Sequence, residues 1–297
     1  MLDQAASLRK LVSQKAYDVQ DVEIGKIPKI LTVTSGKGGV GKSNFVVNLA
    51  IVLQRKGKKV LILDTDIGMA NDDILMGFFP KYDIGHILFD NMSLEDVIIE
   101  GPFGVKLLPG GSGMTKLNQI TEEIRENFIR KISTLRDLDF IIIDTGAGAD
   151  DKILRFIASS EDLIILTTPE PTALTDAYSL LKLVNHFNIK ENAKVVINKA
   201  LNSKEAISTF NKFNNTSKKF LNIDLEYLGF IMEDRKVTEA VRNQSPFVLS
   251  FPNSYATKNI ESIANSLIGN GESFEKDNIK DVSIQSFFKK MFKAFKA

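Results

Sequence analysis

Four short apolar runs, Ile30–Thr34, Val60–Leu63, Phe140–Ile143 and Leu163–Thr167, set the fold class, and Val195–Ile197 repeats their composition at shorter length. They are rich in Ile, Val and Leu and do not alternate with polar residues. Strands with one solvated face alternate. Strands that are apolar throughout are buried on both faces, as in a parallel sheet covered by helices. Segments of helical length and composition lie between them: Ser43–Arg55, Met114–Leu135 and Thr172–Asn185. The expected fold is α/β, a mostly parallel central sheet flanked by helices on both faces, with right-handed crossovers. A further strand is expected near Tyr227–Ile231 and a last domain helix near Tyr255–Ile268. Ser203–Asn222 reads as a helix of mixed polarity without a functional assignment.

The first run leads into Ser35-Gly36-Lys37-Gly38-Gly39-Val40-Gly41-Lys42-Ser43, and Asn44 follows. A glycine, four residues, then Gly-Lys-Ser between a strand and a helix is the phosphate-loop pattern. Glycines let successive backbone N–H groups face one phosphate, and the next helix adds the positive end of its dipole. Lys42 supplies a mobile cation to the terminal phosphates, and Ser43 offers a hydroxyl to Mg²⁺. Residues 36–44 are thus the expected nucleotide-binding segment.

Carboxylates close two other runs: Asp64 and Asp66 after the second, Asp144 after the third, with Gly146 and Gly148 following. In doubly wound sheets the carboxyl ends of the strands carry the ligand. An apolar run ending in aspartate suits a group that reaches Mg²⁺ directly or through water, which is Asp144 here. Gly146 and Gly148 would let the loop move when a γ-phosphate leaves.

Composition narrows the chemistry. The chain has no cysteine, which excludes thiolate zinc sites, cysteine-ligated clusters and cysteine nucleophiles. Its two histidines, His86 and His186, are far apart, so a histidine-rich metal site is not expected. Lys+Arg number 38 against 37 Asp+Glu, so no general basic coat exists for nucleic acid, and no specific nucleic-acid partner is expected. Residues 1–14 carry polar side chains throughout and contain no apolar signal region.

The loop contains a second lysine, Lys37. The form Lys37-Gly38-Gly39-Val40-Gly41-Lys42-Ser43 resembles the deviant phosphate loop of the MinD/ParA ATPases. That resemblance implies an ATP-dependent homodimer in which Lys37 crosses to phosphates held by the other subunit. It also implies that Asp66 orients the attacking water and stands with Ser43 and Asp144 at the metal, while Asp64 and Gly146 support them. ATP/ADP and Mg²⁺ are the implied cofactors. Related GTPases read guanine with an aspartate three residues after the Asn198 position. Leu201 stands there and cannot accept the guanine donors, so adenine is expected, with Asn198 near its edge.

Residues 282–297 form a separate signal after a charged, glycine-containing linker at 269–281. Wound at about 100° per residue, Ile284, Phe287, Phe288, Met291, Phe292 and Phe295 fall within roughly 140°, with Lys289, Lys290, Lys293 and Lys296 opposite. This is the composition of a helix lying in a membrane interface, and at about 24 Å it is too short to span. A terminal helix docked on the domain would show the same periodicity. The position resembles the membrane-targeting helix of MinD-like proteins.

Ahead of the first strand, residues 1–26 hold a helix near Leu2–Gln14 and the motif Asp3-Gln4-Ala5-Ala6-Ser7-Leu8-Arg9. Before a MinD-like domain over 27–268, this motif resembles the FlhG family (FleN, YlxH), regulators of flagellar number and placement. The resemblance implies stimulation of the GTPase FlhF through Asp3, Gln4, Leu8 and Arg9. It also implies a cytoplasmic protein reversibly peripheral on the inner face of the cell membrane, with the cell pole as a candidate position. Flagellar switch-ring proteins and a flagellar transcription regulator are further candidate partners. A MinD-type division regulator and a ParA-type partitioning ATPase remain the alternatives.

Overall fold

The computed structural model describes residues 28–66, 72–269 and 284–296. The N-terminal motif with Asp3, Gln4, Leu8 and Arg9, and the linker beyond Gly269, lie outside the described residues.

An eight-stranded sheet organises the described chain. Its strands are β1 (Lys29–Ser35), β2 (Val60–Asp64), β3 (Ile99–Glu100), β4 (Lys106–Leu108), β5 (Phe140–Ala147), β6 (Asp162–Thr167), β7 (Asn192–Ala200) and β8 (Asp224–Met232). They lie in the order β3-β4-β2-β5-β1-β6-β7-β8, parallel except for the short antiparallel β3–β4 pair at one edge. The five strongly apolar runs are core strands, and each extends a residue or more beyond its apolar stretch.

Their lack of alternation has a direct cause. Leu31, Ile62, Ile142 and Ile164 face one apolar layer, whereas Ile30, Leu61, Ile141 and Ile143 face another. Successive side chains of a strand point to opposite faces, and both faces here are dry. The first layer is completed by α1 (Lys42–Arg55), buried continuously from Phe45 to Leu53. After α1 the chain turns at Gly57, whose φ is 78°. The Lys58 N–H donates to the Leu53 carbonyl at 3.1 Å and the Gly57 N–H to Gln54 at 2.9 Å, a left-handed glycine stop.

Short helices α2 (Asp72–Leu75), α3 (Ile84–Phe89) and α4 (Leu94–Val97) follow β2. The single helix expected over Met114–Leu135 is two elements. Gly111–Gln119 is a 3₁₀ stretch, and α5 (Glu122–Ile132) starts anew where the Thr121 hydroxyl accepts from the Ile124 N–H. A threonine cap needs extended backbone, which interrupts the first helix. Then come α6 (Asp151–Ser159), α7 (Pro171–His186), α8 (Ser203–Phe220), α9 (Arg235–Arg242), α10 (Phe247–Ser250) and α11 (Tyr255–Gly269).

The last described helix, α12 (Ile284–Lys296), lies against α5, α6 and the 3₁₀ stretch. Phe287, Phe288 and Met291 are fully buried, with Ile284 and Phe292 nearly so, and Lys289, Lys290 and Lys293 face outward. The Phe128 ring of α5 meets those of Phe288 and Phe292 edge-on at 5.0 and 5.3 Å. The apolar stripe expected to meet lipid is thus covered by the domain itself in this structure. No described helix is long and apolar enough to cross a membrane.

Candidate nucleotide site

β1 sits at the centre of the sheet between β5 and β6, and residues 36–41 join its carboxyl end to α1. Gly39 and Gly41 have φ of 77° and 94°, left-handed backbone that glycine adopts without strain. Gly36 is demanded by packing: a Cβ there would lie 2.1 Å from the Asp176 carbonyl carbon in α7. The loop is braced from β7. The Asn198 Nδ2 donates to the Val40 carbonyl at 2.7 Å, and the Lys199 Nζ to the Gly39 carbonyl at 2.9 Å. Asn198, expected to face the base, is in this structure a strut beneath the loop.

The carboxylates meet where β2, β5 and β1 end side by side. Asp64 pairs in register with Asp144, and Asp144 with Val33. Both the backbone N–H and the hydroxyl of Thr65 donate to the Asp144 carbonyl at 2.8 Å, pinning the strand ends together. Lys42 Nζ lies 2.8 Å from Asp144 Oδ1, and both side chains are buried. Burial alone would lower the Lys42 ammonium, but Asp144, Asp72 and Asp66 outweigh it and hold its pKa above the usual value. Asp64 moves the opposite way. Burial, then the Asp144 charge, pushes its carboxyl up to about 8, although Oδ1 accepts the Asp66 N–H at 2.9 Å. Asp72, unassigned by the sequence reading, is fully buried, and burial, Asp144 and Asp64 raise its carboxyl well above the usual range.

Lys37 points elsewhere. Its Nζ lies 2.9 Å from both Glu170 Oε2 and Thr172 Oγ1 at the start of α7, with over a third of the side chain exposed. That hydrogen bond and the Lys37 charge hold the Glu170 carboxyl below its usual range. Glu170 and Thr172 follow the carboxyl end of β6, next to β1, and that position was the available signal for them. Ser43 and Asn44 are half-buried in the first turn of α1. The Asn48 amide donates to Asn44 Oδ1 at 2.8 Å and accepts from the Val248 N–H at 3.0 Å, tying α1 to α10.

A cleft of about 190 Å³ opens beside these groups, lined in part by Asp66, Met114, Gly146, Phe156 and Phe295. A Cβ on Gly146 would lie 3.8 Å from the Asp66 carboxylate. Phe295 of α12 therefore shares one cleft with Asp66 and the Gly146 loop. Its ring lies 5.0 Å from that of Phe156, and the Arg155 guanidinium stands 6.0 Å away.

Residues 31–247 match the CobQ/CobB/MinD/ParA nucleotide binding domain. The antiactivator FleN of Pseudomonas aeruginosa is 35% identical over 237 residues, covering 80% of this chain and 85% of FleN. The flagellum site-determining protein YlxH of Helicobacter pylori is also 35% identical, over 267 residues, 89% of this chain and 90% of YlxH. This chain belongs to the FlhG (FleN/YlxH) family of MinD-like ATPases. The fold agrees: the MinC:MinD complex of Aquifex aeolicus matches with a TM-score of 0.66 at 25% identity, over 85% of this chain and 98% of that one.

The residues also suit a magnesium ion. Among the described residues no group of three or more His, Cys, Asp or Glu side chains could hold a metal unaided. Mg²⁺ favours that situation, since it keeps several waters and takes phosphate oxygens with one or two protein groups. Ser43 and Asp144 would supply those groups beside the loop.

Proposed function

We propose that this FlhG-family chain is a magnesium-dependent ATP hydrolase that pairs with a second copy when ATP binds and acts in flagellar placement and number. The observation that carries the reading is the divergence of two lysines in one loop. Lys42 turns inward onto Asp144, and Lys37 turns outward onto Glu170 and Thr172. A cation held outside its own loop is available to phosphates held by a partner, as an in-trans finger is.

The chain's own groups divide the work. The backbone of residues 36–43 cradles the phosphates, and Lys42 leaves Asp144 for the terminal phosphates. Asp66 orients the water that attacks the γ-phosphorus, whose bond to the β–γ bridging oxygen breaks. Asp64 steadies the backbone of Asp66. Ser43 and Asp144, with Asp66 nearby, would hold magnesium, which would supply positive charge to the phosphates. Leu201, exposed and with a side chain that cannot hydrogen-bond, favours adenine over guanine.

The tail supplies the output. With α12 docked, its phenylalanines are withheld from lipid. Because Phe295 shares the cleft of Asp66 and Gly146, ordering of the 146–148 loop by a γ-phosphate reshapes the wall on which α12 rests. Released tails from two paired copies bind a membrane together with an effective-concentration gain that one lacks. The flagellar assignment rests on the likeness to FleN and YlxH, and stimulation of FlhF through Asp3, Gln4, Leu8 and Arg9 extends it.

ATP turnover measured with and without anionic vesicles tests the reading. Vesicles should raise wild-type turnover, and Lys37→Ala and Asp66→Ala should each remove it. Normal hydrolysis by Asp66→Ala would refute the catalytic assignment, and normal pairing with ATP by Lys37→Ala would refute the in-trans lysine.

A further inference from the structure

Asp72 opens α2, the short helix that follows β2. Its neighbour Asp73 satisfies one carboxylate oxygen with the Ile74 N–H at 2.7 Å. Asp72 does nothing comparable. It is 0% exposed, and neither oxygen has an N–H or hydroxyl partner; the side chain within hydrogen-bonding reach is a second carboxyl, that of Asp144. The group it faces is another carboxylate, Asp144, with Asp64 and Lys42 as the nearby charges. A buried carboxyl without a donor weakens the fold. Two facing carboxyls cannot both carry charge at low cost, and a proton or a cation must join them. An apolar side chain would suit local packing better, since Met76 is buried in the adjoining core and Leu75 packs against it.

We propose that Asp72 is a fourth carboxylate of the magnesium site, where with Asp144 it would orient water held by the ion. This rests on the nucleotide-site reading and adds to it a group that the phosphate-loop pattern does not specify. The absence of any three-ligand cluster among the described residues fits a role through water rather than direct ligation. Groups of that kind fix the orientation of a metal's direct ligands, and their loss typically costs about 10–100-fold in metal affinity.

The test is the binding of ADP, by calorimetry, with magnesium and with EDTA, to wild type, Asp72→Asn, Asp72→Leu and Asp144→Asn. For the Asp72 variants the gain in ADP affinity from magnesium should fall about tenfold or more, while affinity in EDTA stays at the wild-type level. Metal-free Asp72→Leu should melt at a higher temperature than wild type, because a residue kept for packing would lose stability on replacement and one kept for the ion gains it. An unchanged magnesium gain in Asp72→Asn beside a clear loss in Asp144→Asn would overturn the Asp72 assignment alone. An unchanged gain in Asp144→Asn as well would overturn the site reading beneath it. A lower melting temperature in both Asp72 variants with magnesium gain intact would make Asp72 structural.

Discussion

Replacing Phe128 by alanine loosens the tail from the domain side and leaves the tail sequence intact. Phe128 is 1% exposed and carries two edge-on ring contacts to α12, with Phe288 and Phe292. A buried Phe→Ala change costs about 3–5 kcal/mol in total. Edge-to-face ring pairs contribute about 0.5–1.5 kcal/mol each beyond their area, so the two contacts assign roughly 1–3 kcal/mol of that cost to tail docking. At about 1.4 kcal/mol per tenfold, the undocked tail should become some 5- to 150-fold more populated. Hydrogen exchange of the amides in 284–296 reads this population directly. The same substitution in a chain lacking residues 284–297 measures the part of the cost that belongs to the domain core. Phe128→Ala should exchange faster across the tail and bind anionic vesicles without ATP. Tail exchange no faster than wild type would refute the assignment of these contacts to docking.

Other expectations follow from single contacts. Gly36→Ala must push α7 away, since its Cβ would lie 2.1 Å from the Asp176 carbonyl carbon; calorimetry should show lost ADP binding, and wild-type affinity would contradict the packing argument. Glu170→Ala should raise the rate at which an acylating reagent modifies Lys37, read by mass spectrometry, because it removes the carboxylate 2.9 Å from Nζ; an unchanged rate would mean that the pair does not hold the lysine. Asp162 bridges Lys29 and Lys194 at 3.2 and 3.0 Å across β1, β6 and β7. Burial raises its pKa, but the two lysines more than compensate and hold it below the usual range. Its stabilisation is therefore present above the unfolded carboxyl pKa and lost as pH falls through the lower folded value. Asp162→Asn should cost about 1–3 kcal/mol at neutral pH, with the gap to wild type closing in strong acid; a pH-independent gap would refute the ionic account.

Much of this architecture is legible because parallel strands buried on both faces must be apolar at every position. Runs such as Phe140–Ile143 can hardly be anything else. The phosphate loop is equally exposed to reading, since its glycines answer to backbone geometry visible at Gly39 and Gly41. Elements too short for periodicity escaped: β3 has two residues, β4 three, and α2 and α4 four each. The break before α5 turned on one hydroxyl, that of Thr121. Asp72 was hidden in a polar stretch where the chain direction, not the composition, brings it against Asp144. The tail marks a different limit. Its apolar stripe was plain, but periodicity says only that a face seeks cover and does not say whether lipid or the Phe128 face of α5 provides it.

Co-sedimentation of the full chain with anionic vesicles, compared between ADP and a non-hydrolysed ATP analogue, bears most directly on the link from nucleotide to tail. The account predicts that the protein stays in the supernatant with ADP and pellets with the analogue. Equal pelleting in both, or in neither, would contradict it.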